Sequence, residues 1–341
     1  MSQLRKNQLS NLNNSFVVLS DFQSELNMFN LPGSIKKKFK EEFPNIDLKF
    51  VNDTSFSEFE DYILVYWGTR FNNDYFKYLK NLKWIHFGSV GVEKIDYKLL
   101  NNKKNLLITN SKAINSSSMN ELILFYLIDA SRGLLKKRTT FKNREEYENN
   151  FLSSKDLTSI KVLVLGYGEV TKKLIPSLKA LGINFEILSN QKCKLKNIYF
   201  YEYKELKKIV NNYDIIINNL PLNRLTKNIF NINILSKLKR DVSLISCGRP
   251  GIFNFEELFK FLSKNHNSFL YIDAPTNDKQ KNNKNLIKIS RLKNVYLSPH
   301  IGGYYKGYWP KQYQIFAENL RKFVQGKKLK NQISFSKENF L

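Results

Sequence analysis

The sequence predicts an α/β protein with an open parallel sheet and room for two domains, and three observations predict it. Apolar runs of strand length alternate with segments of helical period along most of the chain. Several of these runs end in loops that carry glycine, proline and polar residues. The stretch Val162 to Asn190, VLVLGYGEVTKKLIPSLKALGINFEILSN, reads as strand, glycine turn, helix, strand. A strand buried on both faces is a continuous aliphatic run, and its return to the same sheet needs a crossover helix. The turn Gly166-Tyr167-Gly168 therefore sits at the carboxyl end of a strand, where a helix N-terminus offers N–H groups and a positive dipole end to a phosphate. Gly166 permits the tight turn, and Gly168 lets the backbone approach a pyrophosphate. The GxGxxG pattern is incomplete, because Thr171 stands at its third glycine, and Pro176 falls inside the helix and removes one of its hydrogen bonds.

Length and composition bound the rest. At 341 residues the chain has room for two domains, and 42% hydrophobic with 14% aromatic residues excludes wholesale disorder. The formal charge is +25, yet arginine supplies only 10 of the 55 basic residues and the 45 lysines are scattered from end to end. Phosphate-reading surfaces concentrate charge and use arginine forks, so nucleic-acid binding is not expected, whereas weak attraction of acidic metabolites is. Cys193 and Cys247 have no metal-like spacing, and a reduced, cytoplasmic setting is the simplest reading. The polar N-terminus lacks the apolar core of a signal peptide, and no apolar run approaches a membrane span.

Taken in order, residues 1 to about 14 form an arm and Phe16 to Leu19 a first strand. After Pro32-Gly33, Ser34 to Phe43 has Ile35, Phe39 and Phe43 on one helical face. Asp47 to Val51 and Tyr62 to Trp67 are further strands. In LKWIHFGSVGVEKID a strand runs into Gly88-Ser89-Val90-Gly91, whose N–H groups can hold a carboxylate, although a plain strand-ending loop explains it equally well. His86 in that strand is read as a packed core histidine. Beyond the strand Leu106 to Thr109, Ser116 to Leu135 is helical, with Ser117 or Ser118 as N-cap and Glu121 in the first turn. Its apolar residues Leu122, Leu124, Phe125, Leu127 and Ile128 cover most of the circumference, which predicts burial between domains. The charged stretch Lys136 to Asn150 reads as linker or helix end.

The second half repeats the alternation. After Asn190 come a helix at Tyr203 to Val210 and a strand at Asp214 to Leu220, stopped by Pro221. Val242 to Ser246 delivers Cys247-Gly248-Arg249-Pro250-Gly251, and a helix follows at Glu256 to Leu262. Phe269 to Ile272 delivers Asp273-Ala274-Pro275, and Val295 to Leu297 delivers Ser298-Pro299-His300-Ile301-Gly302-Gly303. Residues 277 to 294 read as a surface loop with a short helix. The carboxyl ends of strands in an open parallel sheet line the ligand crevice, so these loops converge on one site. There an imidazole, His300, can protonate a carbonyl oxygen. A carboxylate, Asp278, can orient that imidazole, and a guanidinium, Arg249, can polarise the carbonyl and grip an adjacent carboxylate. Singly they have plainer explanations as a turn histidine, a solvated acid and a loop ion pair; together they outweigh these.

At these residues the sequence resembles the D-isomer-specific 2-hydroxyacid dehydrogenases. GYGEVTKKLIPSLKALG is similar to that family's cofactor turn, DIIINNLPLNRLTKNIFN to its segment ending in Leu-Pro, and LISCGRPGIFN to its arginine loop. YIDAPTND is similar to its aspartate-to-acid loop and NVYLSPHIGG to its histidine loop. LKWIHFGSVGVEKID, SMNELILFYLIDASR and ENLRKFVQGKKLKN match as well, so the likeness spans about residues 15 to 333. The resemblance implies that Arg249 binds substrate, that His300 is the acid/base and that Asp273 contacts the nicotinamide amide. It extends the cofactor surface to Gly166, Tyr167, Gly168, Glu169 and Val170, to Ser189 and Asn190, to Leu220, Pro221 and Thr226, and to Cys247, Gly248 and Gly302. Ser89, Val90 and Gly91 take the substrate. Three positions depart from the pattern. The family's acid is usually Glu, where Asp278 stands one methylene shorter. Pro250 replaces a glycine and restricts Arg249 to extended backbone, and Glu169 sets a negative charge beside the turn.

The expectation is thus a flavodoxin-like substrate domain from roughly 1–115 plus 305–341 and an inserted NAD(P)-binding Rossmann domain from roughly 116–304, with a cleft between them. By the resemblance the protein forms a homodimer and passes hydride between NAD(P)H and a small 2-oxo acid. The second strand of the glycine unit ends in Ser189-Asn190-Gln191-Lys192 with no carboxylate, which favours NADP(H) over NAD(H). Tyr66, Trp67, Tyr304, Tyr305 and Trp309 hint at an aromatic-lined pocket. A nucleotide-sensing interaction protein, similar to co-repressors of this fold, or a catalytically weak relative is the alternative.

Overall fold

The computed structural model describes residues 16–24, 29–53, 56–89, 103, 105–135, 144–145, 148, 154–191, 193–273 and 283–333. The expectations for the N-terminal arm, for Val90, Gly91 and Asp278, and for most of 136–150 fall outside these residues. The chain divides into two compact units, residues 1–114 with 306–341, and residues 115–305. Among the described residues the helices of two turns or more are α1 (Gly33–Glu42), α2 (Ser116–Arg132), α3 (Glu169–Ala180), α4 (Phe255–Lys264), α5 (Asn283–Ser290) and α6 (Tyr308–Val324).

In the first unit the strands are β1 (Phe16–Ser20), β2 (Ile46–Phe50), β3 (Ile63–Gly68), β4 (Trp84–Phe87) and β5 (Leu107–Asn110), all parallel, in the order β2-β1-β3-β4-β5. That is the flavodoxin-like winding, which reverses direction beside β1. Because both faces of the sheet are covered, every residue of β1, β3 and β4 is buried. Ile35 and Phe39 of α1 and the following Phe43 are buried in its core, as their spacing predicts. Phe316 of α6 stacks on Trp67 at a centroid distance of 4.0 Å and 3° between planes, and on Trp84 at 5.4 Å. This packing corrects the aromatic-pocket reading for Tyr66 and Trp67: both are fully buried, since neighbouring residues of a central parallel strand face opposite covered sides. His86 is a core residue as expected, with Nδ1 2.7 Å from Thr109 Oγ1 and Nε2 3.2 Å from Ser111 Oγ. Burial pushes its pKa down to about 3, so the ring stays neutral.

The second unit contains β6 (Lys161–Leu165), β7 (Asn184–Leu188), β8 (Phe200–Tyr201), β9 (Ile215–Asn218), β10 (Ser243–Ser246), β11 (Phe269–Asp273) and β12 (Val295–Ser298). They form one parallel sheet in the order β12-β11-β10-β9-β6-β7-β8. From β6 the chain winds outward through β7 and β8, then returns to β9 and winds the other way, the Rossmann arrangement with its switch point between β6 and β9. The two-residue β8 was too short to read from sequence.

Helix α2 differs from expectation in three respects. Its N-cap is Asn115, and Ser117 and Ser118 lie inside the first turn, Ser118 donating its hydroxyl back to the Asn115 carbonyl at 3.1 Å; Glu121 falls in the second turn. It ends at Arg132, because Gly133 adopts the left-handed conformation at φ 68° and closes it. The apolar circumference is also not uniformly buried. Ile123, Tyr126 and Leu127 pack on Val162, Val164 and Ile217 of the same unit, whereas Phe125 is 50% and Ile128 38% exposed. Among the described residues no helix is long and apolar enough to cross a membrane.

Candidate active site

The glycine turn lies at the switch point. Gly166 has φ +93°, and a Cβ there would come within 2.9 Å of the Asn219 carbonyl oxygen, so both the backbone angle and the strand-end contact demand glycine. A Cβ on Gly168, the N-cap of α3, would meet nothing within 4 Å, so the space beside this residue is open. Thr171, in place of the third glycine, is fully buried and accepts a hydrogen bond from Asn219 Nδ2 at 3.1 Å. The turn is thereby clasped to the end of β9, a partnership 48 residues long that the motif itself does not signal. Glu169 pairs with Lys172 at 3.1 Å, which offsets its negative charge beside the helix start. Tyr167 sets its ring edge-on to Phe200 at 5.2 Å, and Val170 is half-buried against the core of this unit.

Beyond β7 a cavity of about 420 Å³ is lined by Ser189, Asn190, Gln191, Cys193, Lys194, Phe200, Tyr201 and Glu202. Ser189 is buried and its hydroxyl accepts from the Gln191 N–H at 3.1 Å, while Asn190 Oδ1 accepts from the Tyr203 N–H at 2.9 Å. The absence of a carboxylate at the strand end holds for β7 itself, but β8 brings Glu202 to the same cavity, paired with Lys204 at 2.7 Å. Sequence spacing could not supply Glu202, because the strand that delivers it is two residues long.

The loops after β9 to β12 carry the remaining residues. Leu220 is buried, with its N–H on Asn218 Oδ1 at 3.0 Å. The Pro221 carbonyl accepts the hydroxyl of Thr226 at 2.5 Å, and Thr226, fully buried, spends its side chain bracing its own loop. Gly248 approaches β9 closely, since a Cβ would lie 3.2 Å from Asn218 Nδ2 and 3.3 Å from the Asn218 carbonyl oxygen. Burial, then the nearby Asp273 charge, pushes the Cys247 thiol far up, leaving it a protonated packing residue. Arg249 is extended at φ −83° and ψ 127°, as Pro250 requires, and Pro250 opens a short 3-10 turn.

Asp273 ends β11 opposite Ser298 of β12 and is 3% exposed. Its Oδ1 accepts from the Ser298 hydroxyl and from the Ile301 N–H at 2.9 Å, and its Oδ2 accepts from the Gly302 N–H at 2.8 Å. The carboxylate thus ties down the loop on both sides of His300, which sits at φ 58°, a conformation that L-residues seldom adopt. A Cβ on Gly302 would lie 2.8 Å from Asp273 Oδ2. The His300 residue keeps solvent access. Its pKa is lowered: desolvation by the surrounding protein is the largest cause, Asp273 pulls upward and the positive charge of Arg249 pushes down. Arg249 and His300 therefore lie within electrostatic reach of each other in this unit. In the other unit, Ser89 follows β4 and is half-buried. No group of three or more His, Cys, Asp or Glu suited to a metal ion occurs among the described residues.

A helix N-terminus at the switch point of a parallel sheet, with glycine-bearing strand-end loops around it, is the arrangement of a dinucleotide-binding unit. Comparison with known proteins agrees. The sequence profile described as D-isomer specific 2-hydroxyacid dehydrogenase, NAD binding domain, matches residues 124–302, and the chain belongs to that family. Hydroxypyruvate reductase of Thermotoga maritima is 23% identical over 248 residues, covering 71% of this chain and 78% of the relative. D-3-phosphoglycerate dehydrogenase of Methanocaldococcus jannaschii is 22% identical over 278 residues, 80% of this chain, which spans only 52% of that relative. A probable 2-hydroxyacid dehydrogenase from Rhizobium etli, solved in complex with NADP, HEPES and L(+)-tartaric acid, shares the fold with a TM-score of 0.74 at 16% identity, over 94% of this chain and 98% of that one.

Proposed function

We propose that the protein is an NADPH-preferring reductase of a small 2-oxo acid. The observation that carries this reading is the set of loops after β10, β11 and β12. Arg249 and His300 act on each other electrostatically there, and Asp273 holds the histidine loop. The N-terminus of α3 holds the pyrophosphate, with Gly168 leaving room for it. When bound, the cofactor supplies the hydride that C2 of the substrate receives. His300 donates the proton to the carbonyl oxygen, Arg249 binds the carboxylate and polarises the carbonyl, and the turn at Ser89 to Gly91 takes the other carboxylate oxygen. Asp278 orients and charges the imidazole. Lys194, Ser189 and Asn190 at the cavity beyond β7 suit a 2′-phosphate, while Glu202 is occupied by Lys204. We further propose a homodimer that covers the exposed Phe125 and Ile128 of α2.

The test is turnover of NADPH and NADH against a panel of 2-oxo acids, in the wild type and in two variants. His300→Ala is expected to lower kcat by about 10²–10⁴ with nucleotide affinity unchanged, since it removes only a general acid. Arg249→Lys keeps charge but loses the bidentate fork, so KM rises and kcat falls. Undiminished turnover by His300→Ala refutes the acid/base assignment, tighter NADH than NADPH binding refutes the cofactor preference, and nucleotide binding without any turnover supports a sensing role.

A further inference from the structure

Within the unit of residues 115–305, one face of α2 rests against the loop that carries His300. Leu122 and Tyr126 stand one helical turn apart and share that face. A Cβ on Gly302 would lie 3.0 Å from Leu122 Cδ2, so Leu122 meets the loop just after His300. Tyr126 is buried and meets it just before His300, where its hydroxyl is hydrogen-bonded to Ser298. The helix thus touches both flanks of the histidine.

The direction of these hydroxyl bonds follows from a count of protons. Ser298 has one, and it goes to Asp273 Oδ1. Its lone pairs remain to accept, so Tyr126 donates. Asp273 in turn accepts from the Ile301 N–H at 2.9 Å and the Gly302 N–H at 2.8 Å, which completes a chain from α2 to the backbone around His300. Each bond of such a chain polarises the next. The Tyr126 ring is held 5.2 Å from that of Tyr271, which stacks on Tyr296 at 5.1 Å and 17° between planes. The Tyr271 hydroxyl leads elsewhere: it donates at 2.7 Å to Asp129 Oδ2, a buried carboxylate of α2 that also accepts from the Leu135 N–H at 2.6 Å. Two neighbouring tyrosines therefore differ in one respect, since only the hydroxyl of Tyr126 is connected to the histidine loop.

We propose that Tyr126 is a positioning residue for His300: through Ser298 it orients the Asp273 carboxylate, and so the left-handed backbone on which the imidazole stands. This rests on the reading of His300 as acid/base. The test compares Tyr126→Phe with Tyr271→Phe, each of which deletes one oxygen and keeps the ring packing. Turnover is measured with NADPH and the best 2-oxo acid of the panel. The imidazole Cε1–H resonance of His300, assigned with His300→Ala, is followed by carbon–proton correlation NMR, with His86 of the other unit as reference. Tyr126→Phe is expected to lower kcat about two- to tenfold, the equivalent of one net hydrogen bond, and to shift the His300 resonance. KM, the nucleotide dissociation constant and the His86 resonance are expected to stay near wild type. Tyr271→Phe is expected to lower the thermal midpoint and leave kcat and the His300 resonance in place. Because Tyr126 acts through Ser298, Tyr126→Phe with Ser298→Ala should lose no more activity than Ser298→Ala alone. An unmoved kcat and His300 resonance in folded Tyr126→Phe overturn the inference, as do equal losses in Tyr271→Phe or additive losses in the double variant. If the wild type turns over no 2-oxo acid, the functional reading fails and the resonance decides alone: a shift confined to Tyr126→Phe supports the positioning role, and its absence overturns it.

Discussion

At the scale of single residues, the proposed mechanism turns on how His300 is charged. Desolvation and Arg249 lower its pKa, and Asp273 only partly opposes them, with both its oxygens already engaged by the loop. Reduction needs the protonated imidazole, so a second carboxylate near the ring has a definite task, which the proposed mechanism gives to Asp278. Removing that charge lowers the imidazole pKa further, and the protonated form is then lost at lower pH. Asp278→Asn is therefore expected to move the basic limb of the kcat/KM profile for reduction to lower pH while the nucleotide dissociation constant stays constant. A superimposable profile would assign the task to another group. The motifs showed which residue types end each strand; that Asp273 spends its carboxylate on the backbone around His300 was not legible, because those bonds join segments 28 and 29 residues apart.

At the scale of elements, α3 carries a proline inside the helix that starts at the glycine turn. Glu169 to Ala180 remains helical through Pro176, which is exposed and cannot donate to the carbonyl one turn earlier. The helix persists because Thr171, Leu174, Ile175 and Leu178 are buried along its inner face. Tertiary packing outweighs the local penalty. Pro176→Ala restores the donor on a solvent-facing position and should stabilise the protein by about 1–3 kcal/mol. Urea unfolding followed by circular dichroism would show this as a higher midpoint at unchanged slope. A lower midpoint would mean that proline's restriction of the unfolded chain outweighs its cost in the helix. Helix α2 gives the converse lesson. Its residue types indicated an all-round apolar rod, yet it presents an inner face to its own sheet and leaves Phe125 and Ile128 exposed.

At the scale of the whole molecule, the proposed dimer would cover Phe125 and Ile128 of α2, which are among the exposed large hydrophobic side chains of the described residues. With a formal charge of +25, copies of the chain repel one another at long range, so an association must be supported by local apolar burial and strengthened by salt. Phe125→Glu places a like charge on each side of a two-fold contact and is expected to shift the protein from dimer to monomer in sedimentation velocity, with the α/β fold preserved by circular dichroism. A wild type that sediments as a monomer at micromolar concentration and moderate salt would refute the proposed dimer.

The sequence by itself determined the α/β class and the parallel character of the strands, because continuous aliphatic strands, helical periods and glycine- or proline-bearing strand ends are local signals. The strand order of each sheet came only with the tertiary structure, the two-domain arrangement having been expected from the family resemblance. The sequence also identified the glycine turn and the strand ends that carry Arg249, Asp273 and His300, because a residue type following a strand is a local fact. Tertiary structure alone decided how those residues are held: the Thr171–Asn219 clasp, the Asp273 brace, Glu202 at the cavity beyond β7, and the Tyr271 hydroxyl on Asp129. It likewise sent Tyr66 and Trp67 into the core. The clasp, the brace and the Tyr271 bond pair groups from 28 to 142 residues apart. A polar side chain has no periodicity from which a partner at such a distance can be read, and only the closing of the sheets brings the two together.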